Sequence, residues 1–128
     1  MNHKDLDAWK QAVFLAEHIY LETKNFPKEE QFGLISQIRR AAVSVSANIA
    51  EGAARNSDKQ FIQFLHISLG SLAELETLII LSFSFGYIHE GKKDELLDLI
   101  THCLKLTHGL VKHLRNKKAY LLVNNPNH

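Results

Sequence analysis

Apolar positions recur along this chain at steps of three and four residues, the spacing of one face of an α-helix. Four segments carry the pattern. The first runs from about Asp5 to Asn25, with Leu6, Trp9, Val13, Ala16 and Tyr20 on one face. The second runs from Pro27 to about Arg55 and holds Ile35, Ile38, Ala42, Val45, Ile49 and Gly52. Pro27 suits the first helical position, and Glu29 and Glu30 suit a helix's positive end. Ser57 followed by Gln60 is a capping box and predicts the start of a third helix. That helix carries Phe61, Leu65, Ser68, Leu72, Leu75, Ile79 and Ser82 as its seam. The fourth runs from about Lys92 to Asn116, with Leu96, Leu99, Cys103, Leu106 and Leu110 in line and Leu97, Ile100, Leu104, Val111 and Leu114 beside them. No strand alternation and no long repeat interrupts this pattern.

Short connections between four helices predict an all-α fold, an antiparallel up-down-up-down four-helix bundle over residues 1–118. Residues 119–128 show no helical period and read as a loose tail, or as a segment that docks Leu121 and Leu122 on a partner. The third helix has more apolar surface than a bundle helix needs. Phe64, Leu69, Leu78, Ile80, Leu81, Phe83 and Phe85 lie off its seam, which predicts a subunit contact. Gly70 in its interior costs about 1 kcal/mol relative to Ala and suggests close helix approach beside Ser68 and Ser71.

The second helix is unusual in its polar residues. On a helical wheel Gln37, Ala41, Ser44, Asn48, Glu51 and Arg55 share one flank of the seam, with Arg40 slightly further round. Arg39 and Ser46 lie on the other flank. Many of the neighbours are Ala, Ser or Gly, which allow a second helix to come close. Asn48 at such a contact needs hydrogen-bond partners. Glu51 and Arg55 are placed to pair within the helix. Arg40 is too far from Glu51 to do so, at about 1.5 Å per intervening residue. Three readings of this ridge stand side by side: a solvated face, a structural interface (Gln37, Arg40, Ser44, Asn48, Glu51, Arg55), and a phosphate-binding surface.

Composition narrows the function classes. The 128 residues carry 15 Lys and Arg against 14 Asp and Glu, for a net charge of +1, so bulk charge does not demand nucleic acid. The distribution is less even: no acid follows Asp98, whereas Lys105, Lys112, Arg115, Lys117 and Lys118 do. Cations at a helix C-terminus are favoured by its dipole; an anionic partner is the sharper reading. A lone cysteine, Cys103, builds no disulfide framework and suggests a reducing compartment. The charged N-terminus is not a secretory signal. The apolar run Leu78 to Ile88 is shorter than the roughly 20 residues that span a bilayer and reads as a buried helix end. These features predict a cytoplasmic protein with no membrane contact. The eight histidines show no one-turn metal pair, and no phosphate loop or nucleophile elbow occurs. No enzyme, cofactor, metal or small-molecule substrate is indicated.

The run "GLISQIRRAAVSVSANIAEGAARNS", preceded by "FPKEEQF" and followed by "FIQFLHISLGSLAELE", resembles the 23S rRNA-intervening-sequence protein family. The resemblance extends from "DLDAWKQA" to "FGYI", with Ser68 where a small Ala is frequent. It implies a bacterial four-helix bundle that assembles as a ring-like homopentamer. Some members are encoded within sequences that interrupt rRNA genes. A related family, the accessory variability proteins of diversity-generating retroelements, binds nucleic acid and a reverse transcriptase through a basic pentamer. The corresponding expectation is a non-enzymatic scaffold contacting RNA or a ribonucleoprotein through Arg39, Arg40, Arg55, Lys59, Lys105, Lys112 and Arg115. The alternative is a protein-interaction module with no nucleic-acid role.

Overall fold

The computed structural model describes the backbone of residues 1–124 and the side chains through residue 117. A 3₁₀ turn at His3–Asp5 leads into α1 (Asp7–Thr23). A second 3₁₀ turn at Lys28–Glu30 precedes α2 (Leu34–Ala53), and α3 (Asp58–Ser84) and α4 (Glu90–Asn124) follow. The described residues form an all-α bundle in which α1 packs on α2 and α4, and α3 packs on α2 and α4.

Cross-helix contacts show the helices to be antiparallel neighbours. Ser68 meets Val45 while Ser71 meets Ser44, and Phe61 lies beside Gly52. His66 meets Arg115 while Phe83 meets Lys93. At one end Glu22 lies 3.7 Å from Lys92, and further along Leu6 and Ala8 approach Leu106 and Leu110.

The seams expected for α2 and α3 are buried at every position. Those of α1 and α4 are rotated from the expected ones. In α1 the buried stripe is Ala8, Ala12, Leu15, Ile19 and Thr23, with Leu6, Trp9 and Ala16 packed at its edge and Tyr20 exposed. Aromatic residues dominate a wheel by size, yet they serve well at a core's rim, where part of the ring stays wet. In α4 the core positions are Leu96, Ile100, Cys103, Thr107, Val111 and Leu114; Leu99, Leu106 and Leu110 flank them. Thr107 obscures this stripe in the sequence. Its hydroxyl donates to the Cys103 carbonyl oxygen at 2.7 Å, which makes it acceptable inside.

Boundaries differ at two places. The second helix begins at Leu34 rather than Pro27. Pro27 instead precedes the Lys28–Glu30 turn, where Glu30 accepts hydrogen bonds from the Tyr87 hydroxyl (2.8 Å) and the Leu34 amide (3.4 Å). The fourth helix continues past residue 118 to Asn124. Apolar period reports burial, whereas a helix can propagate on propensity alone through residues such as Lys, Ala and Leu. Residues 125–128, and the side chains of Leu121 and Leu122, lie outside the described residues.

One local signal forms as expected and one is relocated. The Ser57 hydroxyl caps α3 by accepting from the Gln60 amide at 3.1 Å. α3 ends in a Schellman turn: Tyr87 N donates to Ser82 O, Gly86 N donates to Phe83 O, and Gly86 has φ +82°. Close helix approach occurs at Gly52, not at Gly70. A Cβ on Gly52 would stand 2.8 Å from Phe64 Cβ, whereas one on Gly70 would meet nothing within 4 Å. Beside this contact the buried Ser68 hydroxyl donates to the Val45 carbonyl oxygen at 2.9 Å. That carbonyl also serves its own helix, so Ser68→Ala is expected to cost only about 0.5–1.5 kcal/mol in urea unfolding.

Candidate subunit and nucleic-acid surfaces around α2

The ridge residues of α2 divide between several environments. Ser44 and Asn48 are half-buried against α3. Asn48 Nδ2 donates to the Ser44 carbonyl oxygen (2.8 Å) and to Ser44 Oγ (3.0 Å), and Ser71 Oγ donates to Ser44 Oγ (2.9 Å). Polar groups of two helices thus meet inside one protomer and set the α2–α3 register there. Glu51 and Arg55 pair at 2.6 Å as expected, with the Arg55 guanidinium 4.8 Å from the centre of the Phe64 ring. Both side chains are substantially exposed, so the pair adds little stability. Gln37 and Arg40 are exposed, and Arg40 makes no side-chain hydrogen bond or ion pair among the described residues.

Arg39 occupies the other flank. Its Nε donates to Thr23 Oγ1 at 2.9 Å, its Nη2 donates to the Tyr20 carbonyl oxygen at 3.4 Å, and its guanidinium lies 4.5 Å from the centre of the Tyr20 ring. It thereby serves the Tyr20 carbonyl oxygen and the Thr23 hydroxyl in the last turn of α1, where carbonyls run out of helical donors. Thr23 Oγ1 in turn donates to the Ile19 carbonyl oxygen.

The seven cations expected to face nucleic acid do not form one patch. Arg39 and Arg40 belong to the end where α1 finishes and α2 begins. Arg55 and Lys59 belong to the opposite end, where α2 gives way to α3. On α4, Lys105 and Lys112 are exposed seven residues apart, and Arg115 Nη2 lies 3.1 Å from His66 Nε2 of α3. Arginine has no lone pair to offer, so that contact requires His66 Nε2 to be the acceptor.

Around Arg39 and Arg40 the structure gathers residues that the sequence did not single out, among them Gln31, Phe32 and Ser36. Tyr20, Gln31, Phe32, Ile35, Ser36, Arg39, Arg40 and Val43 line a cleft of about 440 Å³ between α1 and α2. A smaller cleft of about 180 Å³ continues it, lined in part by Lys24, Lys28, Gln31 and Arg39. Phe32 is 92% exposed. The available signal was an isolated phenylalanine between Gln31 and Gly33, outside every apolar period.

Other chemistry is sparse. Among the described residues no three His, Cys, Asp or Glu side chains gather as a metal site would require. Cys103 is fully buried, and burial pushes its thiol up to about 11, far from nucleophilic use at neutral pH.

A family model described as 23S rRNA-intervening sequence protein matches residues 4–109. The chain belongs to this family. The matched residues hold the whole α2 ridge, both clefts, Arg39, Arg40, Arg55, Lys59 and Lys105; Lys112 and Arg115 fall beyond them. A solved structure of a protein of unknown function from the S23 ribosomal protein family, from Bacteroides thetaiotaomicron VPI-5482, is similar at TM-score 0.75 and 25% identity. The match covers 82% of this chain and 98% of that one. Comparison with curated proteins gives no match. This chain and the solved relative thus share a fold, and neither the family's description nor the relative's names an enzyme.

Proposed function

We propose that this chain is a non-enzymatic scaffold that assembles with copies of itself, five in a ring, and presents basic residues to RNA or a ribonucleoprotein in the cytoplasm. The observation that carries the assembly is the outer surface of α3. Ile67, Ile80, Leu81, Phe83 and Phe85 are each more than a third exposed in the single protomer, with Phe85 at 57%. Single apolar residues on a surface are ordinary, but Ile67, Leu81 and Phe85 fall within about 40° of one another on the helical wheel, with Ile80 and Phe83 on the opposite flank, so one side of α3 offers an apolar stripe. The apolar run at the end of α3 is thus only half core: Leu78, Ile79, Ser82 and Ile88 are buried, whereas Ile80, Leu81, Phe83 and Phe85 are exposed.

By length and composition α3 could also cross a membrane. Its role as a bundle helix is supported by the seam Leu65, Leu72, Leu75 and Ile79, which α2 and α4 enclose together with the polar Ser68 and Ser82. The five-fold ring and the RNA partner follow the family resemblance, and the cations of α2 and α4 are the groups available for phosphate. A protein-interaction module without nucleic acid is the second reading, favoured by the net charge of +1.

Light scattering should give a mass about five times 14.6 kDa. Ile67→Glu combined with Leu81→Glu should lower that mass while helical circular dichroism is retained, because both side chains are exposed in the protomer. A monomeric wild type at micromolar concentration would overturn the scaffold. RNA binding should weaken steeply with added salt; absence of binding even at low salt would select the second reading.

A further inference from the structure

The two clefts between α1 and α2 share Gln31, Ile35 and Arg39, and so form one groove. Four cations line it: Lys24, Lys28, Arg39 and Arg40. No carboxylate does, in a chain whose acids and bases otherwise nearly balance. Glu30, adjacent to Gln31, is engaged by the Tyr87 hydroxyl and the Leu34 amide.

Two aromatic rings accompany the cations. Tyr20 is held by the Arg39 guanidinium above it, so it forms a fixed wall. Phe32 stands almost wholly in solvent, although burying such a ring would stabilise the chain by about 1.5–3 kcal/mol. Gln31 and Ser36 add neutral hydrogen-bonding groups.

We infer that this groove binds single-stranded RNA, with a base stacked on Phe32 and the flanking phosphates held by Arg40, Lys24 and Lys28. The inference rests on the RNA reading above and gives it a location. A polyanion accounts for cations without acids. An exposed aromatic ring beside them accounts for bases, because every base has a π-face. Stacking needs a base that is free of its own duplex, which selects single strands. Arg39 is already committed to Thr23 and Tyr20, so its part is to hold the wall. Arg40 has no partner within the protomer's described residues and is the group available for phosphate.

The test is fluorescence anisotropy with a labelled oligouridine and, separately, a duplex RNA of equal length. Phe32→Ala should weaken oligouridine binding about 5- to 150-fold with an unchanged salt slope. Phe32→Tyr should retain it. Arg40→Gln should weaken it and reduce the salt slope by about 0.7, the value per phosphate contact on a single strand. The duplex should bind less tightly. Equal binding by wild type and Phe32→Ala, or loss that follows Lys112→Gln with Arg115→Gln instead, would overturn the groove and leave RNA binding intact. Equal affinity for duplex would overturn the stacking role. A fall in the assembly's mass on Phe32→Ala would assign the surface to a second copy of the chain. No oligouridine binding by wild type at low salt would overturn the RNA reading itself, and the groove with it.

Discussion

Gly52→Ala is expected to destabilise the protein by about 1–3 kcal/mol in urea unfolding, although alanine is the better helix former. The new Cβ would stand 2.8 Å from Phe64 Cβ, 2.9 Å from Phe61 Cδ1 and 3.2 Å from the Phe61 carbonyl oxygen. A phenylalanine ring atom can swing aside. A Cβ and a carbonyl oxygen are fixed to the backbone of α3 and move only if the helix moves. Displacing α3 would stretch the Ser68–Val45 and Ser71–Ser44 hydrogen bonds, each 2.9 Å long, between α2 and α3. Propensity gains about 1 kcal/mol at most, and less near the last turn of α2, so the clash decides the sign. Gly70→Ala is the internal control. Its Cβ would meet nothing within 4 Å on an exposed turn of α3, so the protomer should gain roughly 0.5–1 kcal/mol. A Gly52→Ala variant as stable as wild type would show that the helices separate at no cost.

The contrast between the two glycines indicates what could be read from the sequence. Both sit inside helices among small residues, and the wheel already separates them. Gly52 lies in the buried seam of α2, whereas Gly70 points away from the seam of α3. The seams of α2 and α3 were legible because their steps of three and four run on through the small Gly52, Ser68 and Ser82. In α1, Trp9 and Tyr20 outweighed the smaller Ala8 and Ala12 that fill the core. In α4, Thr107 hid a core position because its hydroxyl is satisfied by its own helix. The same logic governs the surfaces. Asn48's need for partners and the Glu51–Arg55 pair follow from spacing within one helix. The Ser44–Ser71 bond and the Arg39–Tyr20 contact join different helices, so they appear only once the fold is known. Phe32 was the least legible, because its meaning comes from the end of α1 and the first turns of α2 arriving beside it.

Raising the pH from about 8 to 11 should destabilise the folded chain by about 2–3 kcal/mol through Cys103 alone. The Cys103 thiol is fully buried between apolar neighbours, and burial raises it from about 9 to about 11. The unfolded chain therefore loses this proton first. Between those values the folded state binds more protons, and stability falls as pH rises. The contribution is whole below pH 9 and gone once the folded thiol ionises. Tyr87 and Lys92 act in the same direction. Tyr87 is raised by its hydrogen bond to Glu30, and Lys92 by its pairing with Glu95 and Glu22, so each also holds its proton longer when folded. Both are exposed to solvent screening, which leaves the buried thiol as the dominant group. Urea unfolding of wild type and Cys103→Ala at matched pH isolates it, since the other groups cancel in the comparison. The variant will be less stable at neutral pH, having lost a buried side chain, and the gap should narrow by about 2–3 kcal/mol as pH approaches 11. A gap that stays constant across this range would mean that the thiolate reaches water without opening the bundle, and that the α4 seam is looser than its packing shows.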